Sequence, residues 1–215
     1  MTKPSKTVGL RELNKLDKLQ RIKSAALELF LTNGFDETTT RDIAARATVA
    51  MGTVFIYAES KRDLLFLIVN EDLEQCVANA SASVDPDGPL LANLLKVLRI
   101  HYEYFARSPV VSRAALREMY FYQSGKQSQR FLANRDQLRF LLTRLIAKAI
   151  NTKQIKSAEA PEVIAQTIFA VYQVDLRIWL ANDKPKIRPG MDALRRKLEI
   201  VMRGLSPKTS ALGSA

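Results

Sequence analysis

The chain has 215 residues, of which 47% are hydrophobic and 26% charged, and a formal net charge of +11. One cysteine (Cys76) and one histidine (His101) exclude an internal disulfide and leave too few ligands for a zinc site of the usual His/Cys kind. The basic excess favours an acidic partner, with nucleic acid the first candidate.

The charge is unevenly spread. Residues 1–67 carry eleven basic against eight acidic residues, and residues 107–156 carry eleven against two. Charge alone therefore does not single out the N-terminal third. The opening MTKPSKTVGLRELNKLDK is polar and basic and does not read as a secretory signal. No apolar run approaches the roughly 20 residues of a membrane span. A cytoplasmic protein without a membrane partner is expected.

Apolar residues in the first third recur at helical spacing. Leu19, Ile22, Ala26, Leu29 and Phe30 share one face of a helix expected over 16–32, which Asn33-Gly34 ends. Thr39, with Asp42 three residues on, caps a short helix through Ile43 to Arg46. A second short helix follows over about 50–57, and Ser60 caps a long one over about 61–83. Further helices are expected over about 89–106, from Ser108-Pro109 to near Ser124, over 127–150, over 161–182 and from Met191 to Gly204. Pro185, Pro189 and Gly190 read as breaks, and residues 206–215 as a disordered tail. No segment alternates like a strand, so the fold is expected to be all-α with nine helices.

The two short helices, joined around Ala47-Thr48, have the dimensions of a helix-turn-helix. Ile43, Ala44, Ala47, Val49 and Val54 would face inward. Gly52 lies early in the second helix, where glycine costs about 1 kcal/mol against alanine. Close approach of the backbone to a ligand is a reason to accept that cost. On these residues alone, an ordinary pair of packed helices remains an equal alternative.

The longer stretch IKSAALELFLTNGFDETTTRDIAARATVAMGTVFIYAESKRDLLFLIV resembles the N-terminal domain of the TetR family of bacterial transcriptional regulators. The resemblance rests on Ala25-Ala26, Leu29-Phe30, Asn33-Gly34-Phe35, Thr38-Thr39-Thr40, Asp42-Ile43-Ala44, Gly52-Thr53, Tyr57 and Ser60-Lys61, in the family's order and spacing. It implies a basic arm over 1–18, a DNA-binding domain over 19–67 and a ligand-binding and dimerisation domain over 68–205. It also implies DNA contacts from Thr39, Thr40, Ala50, Met51, Gly52, Thr53, Phe55, Tyr57 and Lys61, with Tyr57 and Lys61 meeting phosphates. Three positions depart from the pattern. Ala50 replaces a common serine, Phe55 a usual tyrosine, and Ala58 an anchoring phenylalanine whose volume Phe55 or Tyr57 would fill. Lys3, Lys6, Arg11, Lys15 and Lys18 are expected to compensate or to form a solvated tail.

The resemblance implies a small-molecule effector between the fifth, seventh and eighth helices. His101, Tyr102, Phe105, Met119, Tyr120, Phe140, Phe169 and Tyr172 are the candidate pocket residues, with plain core packing the alternative for each. Arg113, Arg117, Arg130, Arg135, Arg139 and Arg144 either ring the entrance for an anionic ligand such as an acyl-CoA or form a solvated face. The helix at 161–182 is apolar around most of its circumference, which fits either a dimer interface or a central core helix. Ile168, Asp175, Trp179, Leu194, Leu198 and Met202 are the candidate dimer residues. The sequence offers no catalytic constellation, metal site or cofactor motif. The expectation is a non-enzymatic, ligand-responsive regulator, most simply a homodimeric repressor on a palindromic operator. The alternative is a ligand-binding protein with a degenerate DNA head.

Overall fold

The computed structural model describes residues 9–204. They form nine α-helices: α1 (Leu10–Thr32), α2 (Thr40–Arg46), α3 (Met51–Tyr57), α4 (Lys61–Ala82), α5 (Leu90–Arg107), α6 (Pro109–Glu118), α7 (Ser128–Asn151), α8 (Pro161–Leu180) and α9 (Ile187–Gly204). A short 3-10 turn, Met119–Phe121, follows α6. No strand occurs among the described residues, and the fold is all-α. The expected tail (206–215), Lys3 and Lys6 lie outside the described residues.

The first three helices form a small head on the start of α4. Ile22, Ala26 and Phe30 of α1 meet Ile43 and Ala44 of α2, Val54 of α3 and Leu64 and Leu65 of α4, all buried. Thr38 is buried and donates its hydroxyl to the carbonyls of Leu29 (3.2 Å) and Gly34 (2.7 Å), fixing the chain as it leaves α1. Gly34, at φ 84°, supplies the left-handed residue that ends α1. α4 runs on into the larger domain, where it lies against α5 and α7; α8 sits on α7, and α9 closes over α5 and α8. The buried side chains form one continuous core from Ile22 to Leu198.

Three boundaries differ from the sequence reading. α1 starts at Leu10, so half of the expected arm is helical. Leu10, Leu13 and Leu16 continue the helical spacing while remaining exposed. The segment after α6 leaves the α-helix at Met119. The rings of MYFY therefore diverge: Tyr120 and Phe121 face solvent, whereas Tyr122 turns inward. α9 begins at Ile187, ahead of Pro189 and Gly190. Proline is tolerated there because N–H groups of a first helical turn have no intrahelical partner. Gly190 is needed for packing rather than as a break, since a Cβ would lie 2.6 Å from the Trp179 ring.

One described helix, α8, is long and apolar enough to cross a membrane, with a mean hydropathy of 1.2, contrary to the expectation of none. In the fold it is a core helix on one side: Ile164, Ala165, Ile168, Tyr172 and Leu176 are buried between α5, α7 and α9.

Candidate DNA-reading head and effector cavity

α2 and α3 cross through a tight turn in which Thr48 is left-handed (φ 52°). A β-branched residue is strained there. Arg21 of α1 holds the turn by donating to the carbonyls of Ala47 (3.2 Å) and Thr48 (3.4 Å). Thr39 and Asp42 form a reciprocal capping box at the start of α2: Asp42 N–H donates to the threonine hydroxyl (3.1 Å), and Thr39 N–H to the carboxylate (3.0 Å). The Thr39 hydroxyl donates to the same carboxylate at 2.6 Å, and these bonds hold the Asp42 pKa below its ordinary value. Thr40, the first residue of α2, is half-buried.

α3 is only seven residues long, and Ala50 at its N-cap provides no side-chain bond. Val54 and Ala58 point into the head, whereas Gly52, Phe55 and Ile56 face outward and Met51, Thr53 and Tyr57 are half-buried. Phe55 therefore does not fill the space beside Ala58. Nothing lies within 4 Å of a Cβ built on Gly52. No packing inside the protein requires that glycine, so its freedom serves whatever approaches from outside. The Tyr57 hydroxyl donates to the Lys15 carbonyl (3.0 Å). The Lys61 ammonium donates to the Asp36 carbonyl (2.7 Å) and lies 4.6 Å from the centre of the Phe35 ring. Both groups are thus engaged within the chain. Tyr57 keeps its oxygen lone pairs and Lys61 its remaining hydrogens for a further partner. Arg46 pairs with Glu28, and Arg41 is exposed.

The far end of α3 is held by residues that sequence reasoning missed. The Lys126 ammonium donates to the carbonyls of Phe55 and Ile56, and the Gln127 amide to that of Tyr57 (3.1 Å). These are the C-terminal carbonyls that a short helix leaves without partners. The same loop is anchored on Asp63, the buried first-turn acid of α4. Its carboxylate accepts from the backbone N–H groups of Glu59 (2.9 Å), Lys126 (3.0 Å) and Gln127 (2.8 Å) and from the Tyr122 hydroxyl. A Cβ on Gly125 (φ 122°) would stand 2.8 Å from that carboxylate, so only glycine fits. Two ion pairs, Arg62–Glu118 and Arg117–Asp36, join α6 to the head beside this loop. No signal in the sequence pairs Lys126 with Phe55, because the join is made by residues 71 apart.

A cavity of about 550 Å³ lies between α5, α7 and α8, floored by Leu73 and Val77 of α4. Of the eight residues singled out from sequence, His101, Phe105, Met119, Tyr120, Phe169 and Tyr172 line it. Two do not. Tyr102 is taken up by α8 instead, donating to Asp175 (2.9 Å) with its ring on Trp179, and Phe140 faces outward from α7. Arg135 and Arg139 stand in the wall, half-buried. The other arginines of the proposed ring are elsewhere: Arg113 binds the carbonyls of Leu180 and Asn182, Arg117 pairs with Asp36, Arg130 pairs with Glu74, and Arg144 is exposed. Arg177 also reaches the wall, with its guanidinium donating to Gln173 and to the Leu116 carbonyl (3.1 Å).

The candidate dimer residues need correcting. Ile168, Asp175, Trp179, Leu194 and Leu198 are all buried within the single chain, and Met202 is half-buried. The stripe chosen from the sequence is the face that holds α8 and α9 onto the core. Asp175 is consumed there by Tyr102 and Lys197. The exposed stripe of α8 is instead Val163, Thr167, Ala170, Val174 and Ile178, of which the last three also edge the cavity, with Ile200 exposed on α9.

A helix-turn-helix head clasped to a helical domain with an apolar, arginine-edged cavity is the construction of a ligand-responsive DNA-binding transcriptional regulator. Residues 22–68 match the model of bacterial regulatory proteins of the tetR family. It is 24% identical over 173 residues to the fatty acid metabolism regulator protein of Bacillus subtilis, covering 79% of this chain and 87% of that one. Two solved structures share the fold. FadR from Bacillus subtilis in complex with stearoyl-CoA aligns with a TM-score of 0.67 at 22% identity, over 86% of this chain and 98% of its own. FadR from Thermus thermophilus, a transcriptional repressor in complex with lauroyl-CoA, aligns at 0.66 and 21% identity, over 92% and 100%.

Proposed function

We propose that this protein is a cytoplasmic, non-enzymatic repressor that binds a palindromic DNA operator as a homodimer and is released by a fatty acyl-CoA. The observation that carries the effector reading is the cavity itself. Its volume lies within the range of small-molecule sites, its walls are mainly apolar, and Arg135 and Arg139 provide cationic groups for a phosphate-bearing head. The acyl-CoA complexes of the two structural relatives support the same ligand class.

Two copies joined through the outward stripe of α8 and Ile200 of α9 would set two α3 helices into successive major grooves, about 34 Å apart. Thr167 and Ala170, in the middle of that stripe, leave room for close helix approach. Gly52 and Thr53 would face the groove, with Met51 and Ala50 at its edge, while Thr40 and Lys61 would serve the phosphates, and Thr39 and Tyr57 would join them by turning their hydroxyl hydrogens away from Asp42 and the Lys15 carbonyl. Phe55 would offer apolar contact.

Release follows from the loop after α6. Met119 and Tyr120 line the cavity, and a few residues on, Lys126 and Gln127 hold the end of α3. An effector that prefers a different position of Met119 and Tyr120 would shift the population away from the DNA-fitting arrangement of α3. The reading is tested by selecting duplexes from a random pool and titrating lauroyl-CoA into the complex. Recovery of a palindrome and its release by lauroyl-CoA are expected. Failure to select any sequence would favour a ligand-binding protein whose head no longer reads DNA, a reading to which the internal engagement of Tyr57 and Lys61 lends some weight.

A further inference from the structure

His101 is the only histidine of the chain, and 3% of its surface is exposed. Its Nδ1 lies 3.2 Å from the Val97 carbonyl oxygen, one helical turn earlier on α5. A carbonyl oxygen can only accept, so Nδ1 carries the hydrogen and Nε2 of the neutral ring is a bare lone pair. Burial keeps the ring neutral by pushing its pKa down to about 4. Nε2 has no hydrogen-bond partner among the described residues. The ring is part of the cavity wall, so the cavity is the space it borders.

A second acceptor stands in the same wall. Asn134 of α7, 4% exposed, donates its Nδ2 to the Asn70 carbonyl (3.2 Å), which leaves Oδ1 to accept. An effector that presents only methylene groups here would leave both acceptors without donors, and each such loss is costly in an apolar setting. We propose that the effector carries an uncharged hydrogen-bond donor, a hydroxyl or an amide N–H, that donates to Nε2 of His101. This deepens the acyl-CoA reading and rests on it for the identity of the cavity as the effector site. The donor has two possible sources: a hydroxyl on the acyl chain, or the amides of the pantetheine arm.

A protein with one histidine allows a direct test by nitrogen NMR of the histidine-labelled full chain. Without ligand, the hydrogen should reside on Nδ1; a hydrogen found on Nε2 overturns the proposal. 1-Decanol should then move the Nε2 resonance towards that of the N–H nitrogen and bind about tenfold more tightly than methyl nonyl ether, which has the same heavy-atom count but no donor. His101→Phe should abolish this preference, and His101→Gln, which keeps an acceptor, should retain part of it. Equal binding of alcohol and ether, or a preference that survives in His101→Phe, overturns the proposal. Lauroyl-CoA separates the sources. If it moves Nε2, the pantetheine amides are the donor; if it binds without moving Nε2, the donor belongs on the chain. Lauroyl-CoA that fails to bind sinks the acyl-CoA reading, while the alcohol preference still decides the role of His101.

Discussion

The Tyr122 hydroxyl donates to the carboxylate of Asp63, joining residues 59 apart in the chain at the seam between head and larger domain. The tyrosine ring stacks on Phe66 of α4 at 4.1 Å, so the polar contact has an apolar wall. A buried carboxylate that accepts from three backbone N–H groups and a phenol is satisfied only as an acceptor. Asp63→Asn would turn an amide NH2 towards those donors. The expected cost is about 3 kcal/mol, a fall in Tm of about 6–12 °C for a chain of this size. Tyr122→Phe should cost about 1 kcal/mol. Thermal unfolding of the three proteins checks this, and an unchanged Tm in Asp63→Asn would contradict it.

The grip of Lys126 and Gln127 on α3 predicts a separable defect. Lys126→Met and Gln127→Ala together should weaken DNA binding about tenfold, because the C-terminal carbonyls of a seven-residue helix lose their donors. Lauroyl-CoA affinity should stay within about twofold, since neither residue lines the cavity. Fluorescence anisotropy on a selected duplex and calorimetry with the ligand measure the two sides. Unchanged DNA affinity would remove the loop from the account.

The outward stripe of α8 predicts where assembly fails. Val163→Glu with Ile200→Glu places charge on the exposed faces of α8 and α9 without touching the core or the cavity. Sedimentation should show a monomer whose helical content is unaltered. Leu198→Ala, in the buried stripe, should instead destabilise the fold by about 2–5 kcal/mol. A dimer that survives the two glutamates places the interface elsewhere.

His101 predicts a pH dependence of stability. Its folded pKa of about 4 lies below the ordinary 6.5, so the unfolded chain binds the proton more readily. Stability from this group is therefore complete above about pH 6.5 and is lost as pH falls towards 4, by about 3 kcal/mol in all. Urea unfolding between pH 7 and pH 4.5 should show this slope in the native protein and a reduced one in His101→Gln.

The elements readable in advance were those with strong local causes. The capping pair Thr39–Asp42, the Asn33-Gly34 stop and the 3.6-residue spacing of Ile22, Ala26 and Phe30 are interactions between near neighbours. The cavity was readable as an aromatic-rich region, and six of its residues were identified on that ground. Orientation about a helix axis was harder to read. Tyr102 and His101 are adjacent on α5, yet only His101 lines the cavity while Tyr102 reaches Asp175, and in α8 apolar residues on both faces hid which stripe is buried. The clasp between Asp63, Tyr122 and Lys126 was not readable, because it depends on how α6 and α7 return to the head.

The central claim is that occupation of the cavity releases the head from DNA. The most direct measurement follows anisotropy of a labelled, selected operator bound to the protein as lauroyl-CoA is added, beside an Arg135→Ala, Arg139→Ala double variant. The account predicts release of the native protein from DNA and about tenfold more lauroyl-CoA for the same release of the variant, whose cavity wall has lost two cations. Release at the same concentration from both proteins, or DNA binding indifferent to the ligand, would contradict it.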